Sequence, residues 1–182
     1  MKLREEIEVL DHQITFRDFA LVSRYVLNGD EMGLGKTLSS LLVMAHALDR
    51  LEFRQGLIVC PASLKSNWKS EIEKFYSGVT TNVINGAKDL IISPFSDINI
   101  VNYERLEVAQ EMYSEAVCVI IDEAHYAKNI EAMRTQFIHK LTNLHQPHYL
   151  ILLTGTPVKN HIPDFYSLLR LLSYGKDTPT GS

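Results

Sequence analysis

Hydrophobic residues along the chain fall into two alternating rhythms. Short apolar runs rich in strand-forming residues predict strands: "YVLNG" (25–29), "GLIVC" (56–60), "TNVIN" (81–85), "INIVNY" (98–103), "AVCVIID" (116–122) and "YLILLT" (149–154). Several are apolar on consecutive positions, as central strands covered on both faces require. Between them, apolar positions spaced by three and four predict helices, first at Leu38, Leu41, Leu42, Ala45 and Leu48, then at Leu64, Trp68, Ile72 and Phe75, later at Phe137, Leu141 and Leu144. A last stripe, Phe165, Leu168, Leu169 and Leu172, follows Pro163 with Asp164 as N-cap, and Leu3, Ile7 and Leu10 predict one more helix at the start. Strands alternating with helices force a parallel sheet with crossovers. The expected fold is therefore α/β, a mostly parallel central sheet with helices on both faces in an α/β/α sandwich.

Composition narrows the picture without changing it. The chain has 182 residues, 46% of them hydrophobic, enough for one sizeable core. A net charge of −4 means that no global positive field advertises a nucleic acid, so any such contact must be local. Cys60 and Cys118 both sit in apolar runs and read as buried free thiols of a reducing compartment. The start of the chain lacks an apolar signal core, and no apolar run approaches the roughly 20 residues needed to cross a bilayer. The expectation is an intracellular protein with no membrane partner. His139, His145 and His148 have no cysteine or carboxylate at ligand spacing and read as solvated.

The chemistry concentrates at two strand ends. In "NGDEMGLGKTLSS" (28–40) a strand ends, Gly33 and Gly35 permit tight turns, and a helix begins at about Lys36. Backbone N–H groups there converge on an anion, helped by the positive end of the helix. Lys36 would reach outer phosphates, and the Thr37 hydroxyl would ligate magnesium. Asp30, however, stands where the usual phosphate-loop pattern has its first glycine. The second strand end is "VIIDEAH", which puts Asp122 and Glu123 at the carboxyl edge of a buried strand, where ligands bind in open α/β sheets. Asp122 would hold magnesium through its water shell, and Glu123 would orient and deprotonate an attacking water. The bland alternatives are a glycine-rich turn with a solvated lysine and an acidic pair capping a helix.

Taken in order, "DEMGLGKT", "LIVCPASLKSNWKSEIEKF", "IVNYERL", "VIIDEAHYAKN" and "LLTGTPVKNHIPDFYSLLRLL" resemble the first RecA-like lobe of Swi/Snf-type ATPases, a branch of helicase superfamily two. The resemblance covers about residues 10 to 172, and in that family the place of Asp30 is held by aspartate, so the mismatch is an identifier. It implies a RecA-like lobe over 1–175, with 176–182 as linker or tail. ATP and Mg2+ are the implied ligands, held by Met32, Gly33, Leu34, Gly35, Lys36, Thr37 and Leu38, with Gln13 of "LDHQ" reading the adenine edge. His125 would couple the acidic strand to Thr154, Gly155 and Thr156 of "TGTP". Ser63, as N-cap of the following helix, and Lys65 resemble contacts to a nucleic-acid backbone, as do Tyr103 and Arg105 of "NYERL". Gln13 on a helix surface, a strand end with a solvated arginine and a plain Gly-Pro turn remain the alternatives. Trp68 could stack on a ligand, but its register favours the core.

RNA helicases that share "DEAH" usually carry a different motif at "LTGTP" and lack the "SLxxNW" segment. The resemblance thus implies movement along double-stranded DNA driven by ATP hydrolysis. Such chemistry needs a charge-stabilising arginine, which the related ATPases take from a second RecA-like lobe. No candidate second lobe follows residue 172 here, so this chain alone is expected to bind ATP weakly and hydrolyse it slowly, with that lobe supplied in cis or in trans. A non-catalytic module that occupies DNA or a partner enzyme is the alternative, and the intact Lys36, Asp122 and Glu123 set argues against it. A small nucleotide kinase is disfavoured by the strands and helices between Lys36 and Asp122. Cytoplasm, nucleoid, nucleus and a phage origin all stay open.

Overall fold

Each predicted strand run becomes a strand, because runs apolar on successive residues can satisfy both faces of a buried sheet at once. In the computed structural model the described residues are 1–29, 33, 35–50, 55–91, 96–106, 116–124 and 147–155. In chain order the elements are β1 (Lys2–Leu3), α1 (Asp11–Ser23), β2 (Tyr25–Asn28), α2 (Lys36–Arg50), β3 (Gln55–Cys60) and α3 (Lys65–Phe75). They continue as β4 (Tyr76–Ser77), β5 (Thr81–Ile84), β6 (Ile98–Asn102), β7 (Ala116–Ile121) and β8 (Tyr149–Leu153). Single 3-10 turns cover Ala62–Leu64, Ala87–Ile91 and Tyr103–Arg105. Six strands form one sheet in the order β2-β8-β7-β3-β6-β5, and every neighbouring pair is parallel.

Alternation along the strands divides the core in two. Val26, Ile58, Cys60, Ile98, Ile100, Cys118, Ile120 and Ile151 share one face with buried residues of α1, α2 and α3, among them Ala20, Leu41, Met44, Trp68 and Ile72. Leu57, Val59, Val101, Val119, Ile121, Leu150 and Leu152 form the opposite cluster, joined by Tyr103 and Ala124. The three described helices therefore lie on one face. The stripes at 137–144 and 165–172 lie outside the described residues. Helix α2 presses close to the sheet at Gly56, where an added Cβ would meet the Met44 sulfur at 2.7 Å. The helix is buried well beyond its predicted stripe, with Ser39, Ser40 and Val43 also out of solvent. Among the described residues no helix is long and apolar enough to cross a membrane. Both cysteines are free and buried, as their apolar runs predicted.

One expectation is overturned. Leu3, Ile7 and Leu10 do not lie on a helix: Lys2 and Leu3 pair antiparallel with Ser77 and Tyr76, and the first helix begins at Asp11. Met1, Leu3, Ile7 and Val9 all pack on the first core cluster, from short extended stretches on either side of a turn in which the Ile7 N–H donates to the Arg4 carbonyl at 3.1 Å, while Leu10 is exposed.

Candidate functional site

The carboxyl ends of the parallel strands bring both chemical stretches to one rim. Strand β2 delivers the chain to the glycine-rich turn and β7 delivers Asp122 and Glu123, with β8 lying between them in the sheet. Two backbone bonds join the three ends: Thr154 N–H donates to the Asn28 carbonyl at 3.2 Å, and Ala124 N–H donates to the Leu153 carbonyl at 2.8 Å. Above this rim opens a cavity of about 540 Å³ lined by Gln13, Gly33, Gly35, Lys36, Thr37, Leu38, Asn67, Glu71, Phe75, Glu123 and Gly155. That is ample for a nucleotide-sized ligand.

Local geometry suits an anion at the turn. Gly33 and Gly35 have φ of 91° and 77°, a region where side chains are strained, and α2 starts at the next residue, which brings the N-terminal end of a helix to the turn. A second constraint acts at Gly35: a Cβ there would collide with the Gln13 side-chain amide. Gln13 is only 5% exposed, which removes the helix-surface alternative. Its Oε1 accepts the Leu10 N–H at 3.0 Å, while its amide nitrogen stands against the phosphate loop.

The acidic turn is held from several directions. Asp122 N–H donates to the Val59 carbonyl at 2.8 Å, Glu123 N–H donates to Asp122 Oδ1 at 2.8 Å, and the Trp68 indole N–H donates to Asp122 Oδ2 at 2.8 Å. The Tyr103 hydroxyl donates to the Asp122 carbonyl at 2.7 Å and to the Glu123 carbonyl at 3.4 Å. Glu123 has φ of 50°, a left-handed conformation that costs a non-glycine residue about 1–2 kcal/mol and recurs at functional sites. Burial raises the Asp122 carboxyl above its ordinary value, an effect opposed first by the Trp68 hydrogen bond and, more weakly, by the Lys36 charge. Lys36 is thus close enough to Asp122 to be felt electrostatically.

Residues read as nucleic-acid contacts divide sharply. Ser63 and Arg105 are exposed. Ser63 lies inside a 3-10 turn and makes no cap; the residue before α3 is Leu64, which has no side-chain cap bond. Lys65 is 9% exposed, and its ammonium donates to the Ile84 carbonyl at 3.1 Å, Asn85 Oδ1 at 2.6 Å and Asn102 Oδ1 at 3.0 Å. It stitches the ends of β5 and β6 together, and its burial lowers its pKa. Tyr103 is 3% exposed and spends its hydroxyl on the acidic turn, its pKa pushed far up chiefly by burial. Neither turns its polar group outward, because each sits on the core side of its turn. Met32, Leu34, His125 and Thr156 lie outside the described residues. Three cavity-lining residues were not anticipated: Asn67, Glu71 and Phe75, which repeat every four positions along α3. That spacing, one residue off the Trp68 and Ile72 register, was the available signal. His148, read as solvated, packs edge-on against Tyr149 with ring centroids 4.7 Å apart.

Comparison with known proteins agrees with this arrangement. The SNF2-related domain matches residues 23–178. Chromodomain-helicase-DNA-binding protein 1-like of Danio rerio is 32% identical over 155 residues, covering 79% of this chain and 15% of its own. DNA repair and recombination protein RAD54-like of Mus musculus is 31% identical over 193 residues, covering 94% of this chain and 25% of its own. The solved SWI2/SNF2 ATPase core of Sulfolobus solfataricus in complex with dsDNA superimposes with a TM-score of 0.79 at 28% identity, over 96% of this chain and 38% of that one. The chain thus spans only a fraction of the length of the relatives it matches. With the family match spanning most of its length and the same fold in a solved relative, this chain is a member of the SNF2-related domain family.

Proposed function

We propose that this chain is the first, ATP-binding lobe, spanning 1–175, of a Snf2-type DNA-dependent ATPase that moves along double-stranded DNA inside the cell, and that a second RecA-like lobe completes its site. One observation carries the reading: three stretches far apart in sequence, represented by Gln13, by Gly33, Gly35, Lys36 and Thr37, and by Glu123, line a single cavity, with Asp122 bonded to the Glu123 N–H. The donor set fits a magnesium nucleotide. Asp122 accepts one protein N–H on each carboxylate oxygen, which leaves lone pairs on both for a hydrated cation, and Thr37 adds a hydroxyl.

Roles follow from position. The loop N–H groups and the start of α2 receive phosphate oxygens, and the Lys36 ammonium neutralises charge on the outer ones. Thr37 and Asp122 would hold the cation, which would supply further charge neutralisation. Glu123 receives the proton of the attacking water and orients it. Gln13 presents its amide to the base. Ser63 and Arg105 stay exposed and are the proposed contacts to a DNA backbone, and the Thr154, Gly155 and Thr156 motif is the proposed link between the nucleotide site and those contacts. The relative solved with dsDNA supports the choice of nucleic acid.

Isothermal titration tests the reading. Magnesium-dependent binding of ADP or ATP is expected, with at least tenfold loss in Lys36→Ala, because that change deletes a direct charge contact worth more than about 1.4 kcal/mol. Absence of binding in the unaltered chain overturns the proposal. Adding a second lobe in trans is expected to raise DNA-stimulated hydrolysis; binding without any such rise would favour a non-catalytic module.

A further inference from the structure

The register of α3 buries Trp68 and Ile72 against the sheet, and a core position of this kind needs volume rather than a polar atom. Trp68 nonetheless carries an indole N–H, and at 2% exposure that donor must find a partner inside the protein. It finds Asp122 Oδ2 at 2.8 Å, 54 residues further along the chain. The other carboxylate oxygen is taken by the Glu123 N–H and the Asp122 carbonyl by the Tyr103 hydroxyl. A carboxylate can rotate about its last side-chain bond; with a donor on each oxygen it cannot do so without breaking a charge-assisted hydrogen bond.

We propose that Trp68 is a positioning residue of the cation site: its indole N–H fixes the rotation of the Asp122 carboxylate, so that the free lone pairs stay aimed at a hydrated magnesium. This rests on the nucleotide reading above. It ties α3 to the site twice, since Asn67 and Glu71 line the cavity while Trp68 on the same helix bonds to Asp122. Loss of a partner that orients a metal ligand typically weakens metal affinity by 10–100-fold.

The experiment exploits the fact that Trp68 is the only tryptophan in the chain. In the unaltered chain with saturating ADP, magnesium titration is expected to change the Trp68 emission, and Asp122→Ala is expected to abolish that change. In Trp68→Phe, which keeps an aromatic ring of smaller volume and deletes the donor, calorimetric ADP affinity without magnesium is expected to stay within about twofold, while the magnesium concentration that tightens binding rises roughly tenfold or more. A purely structural tryptophan would move both or neither. A magnesium requirement unchanged in a folded Trp68→Phe overturns the inference and leaves the nucleotide reading intact. Failure of the unaltered chain to bind nucleotide takes both down. Should Trp68→Phe not fold, the emission measurement decides alone, and an emission indifferent to magnesium overturns the inference.

Discussion

Lys65→Met separates two physical roles for a lysine that sits among residues facing DNA in the family's pattern. The change removes an ammonium that donates to three oxygens, two of them, the Ile84 carbonyl and the Asn102 side chain, in buried surroundings. Each buried acceptor left without a donor costs about 1–3 kcal/mol, whereas Asn85 is exposed and recovers its bond from water. Against this, methionine removes a charge whose desolvation already lowers its pKa, which offsets part of the loss. The net expectation is a destabilisation of about 2–3 kcal/mol, or roughly 5–10 °C in Tm for a domain of this size. Urea unfolding at constant m-value reads it. DNA affinity measured against salt supplies the contrast: Arg105→Ala is expected to reduce the slope of log affinity by about 1, and Lys65→Met to leave it unchanged in the folded fraction. Should Lys65→Met keep the unfolding midpoint and lower the salt slope by one, the lysine binds phosphate and the structural argument fails.

Gly35→Ala is expected to cost about 2–3 kcal/mol, combining about 1–2 for a side chain at φ 77° with about 1 for the Gln13–Leu10 bond lost as the amide is pushed aside. Combined with Gln13→Ala, the two changes should sum to about 1 kcal/mol less than their separate effects; strict additivity in thermal melts would refute the contact. Burial raises the Cys60 thiol from 9.0 to about 12, so the unfolded chain loses that proton first as pH rises. The stability that this contributes is whole below pH 9, falls by about 1.4 kcal/mol by about pH 10, and continues to fall toward 12. Cys118 is raised in the same direction by burial, so denaturation followed from about pH 8 to about pH 10 should flatten measurably in Cys60→Ala, and an unchanged slope would refute the assignment.

The sheet was legible because its strands are apolar on successive residues, a signal that survives without knowing any neighbour. Helix α1 was not, and the reason is visible in its exposure: Phe19 and Val22 face solvent while Gln13 and Ala20 are buried, so the apolar pattern does not mark the packed face. Residues 1–10 misled in the opposite sense, since three apolar positions at helical spacing concealed a short strand, a turn and an extended stretch that half-bury Met1, Leu3, Ile7 and Val9. The phosphate turn and acidic pair were readable as motifs, yet what holds them was not. Lys65 stands three residues before Trp68 and seven before Ile72, on the buried face of α3, so its inward direction was available from periodicity alone. Its charge argued for solvent, and charge prevailed in the reading. The oxygens that make burial tolerable come from β5 and β6, which no local pattern connects to α3.

Strand order explains why residues read as separate contacts converge on one turn. The phosphate loop leaves β2 and the acidic pair leaves β7, and these strands do not touch; β8 fills the space between them and bonds to both ends. The exit of β8, where Thr154 and Gly155 sit, is thus one hydrogen-bonded connection between the end of β2 and the acidic turn. On the other flank β3 lies beside β7, and the chain leaving β3 runs through Ser63 into α3, whose Trp68 returns to the same carboxylate, while Tyr103 at the end of β6 grips its carbonyl. Segments with exposed ends at Ser63 and Arg105 are thus bonded, within a few residues, to the group proposed to hold the cation. A sheet whose neighbours are fixed by parallel pairing transmits such shifts as movements of whole strand ends, because close-packed interiors do not absorb them locally. Under the proposed function, coupling between DNA contact and nucleotide chemistry would require no special relay beyond the hydrogen bonds that already assemble the acidic turn.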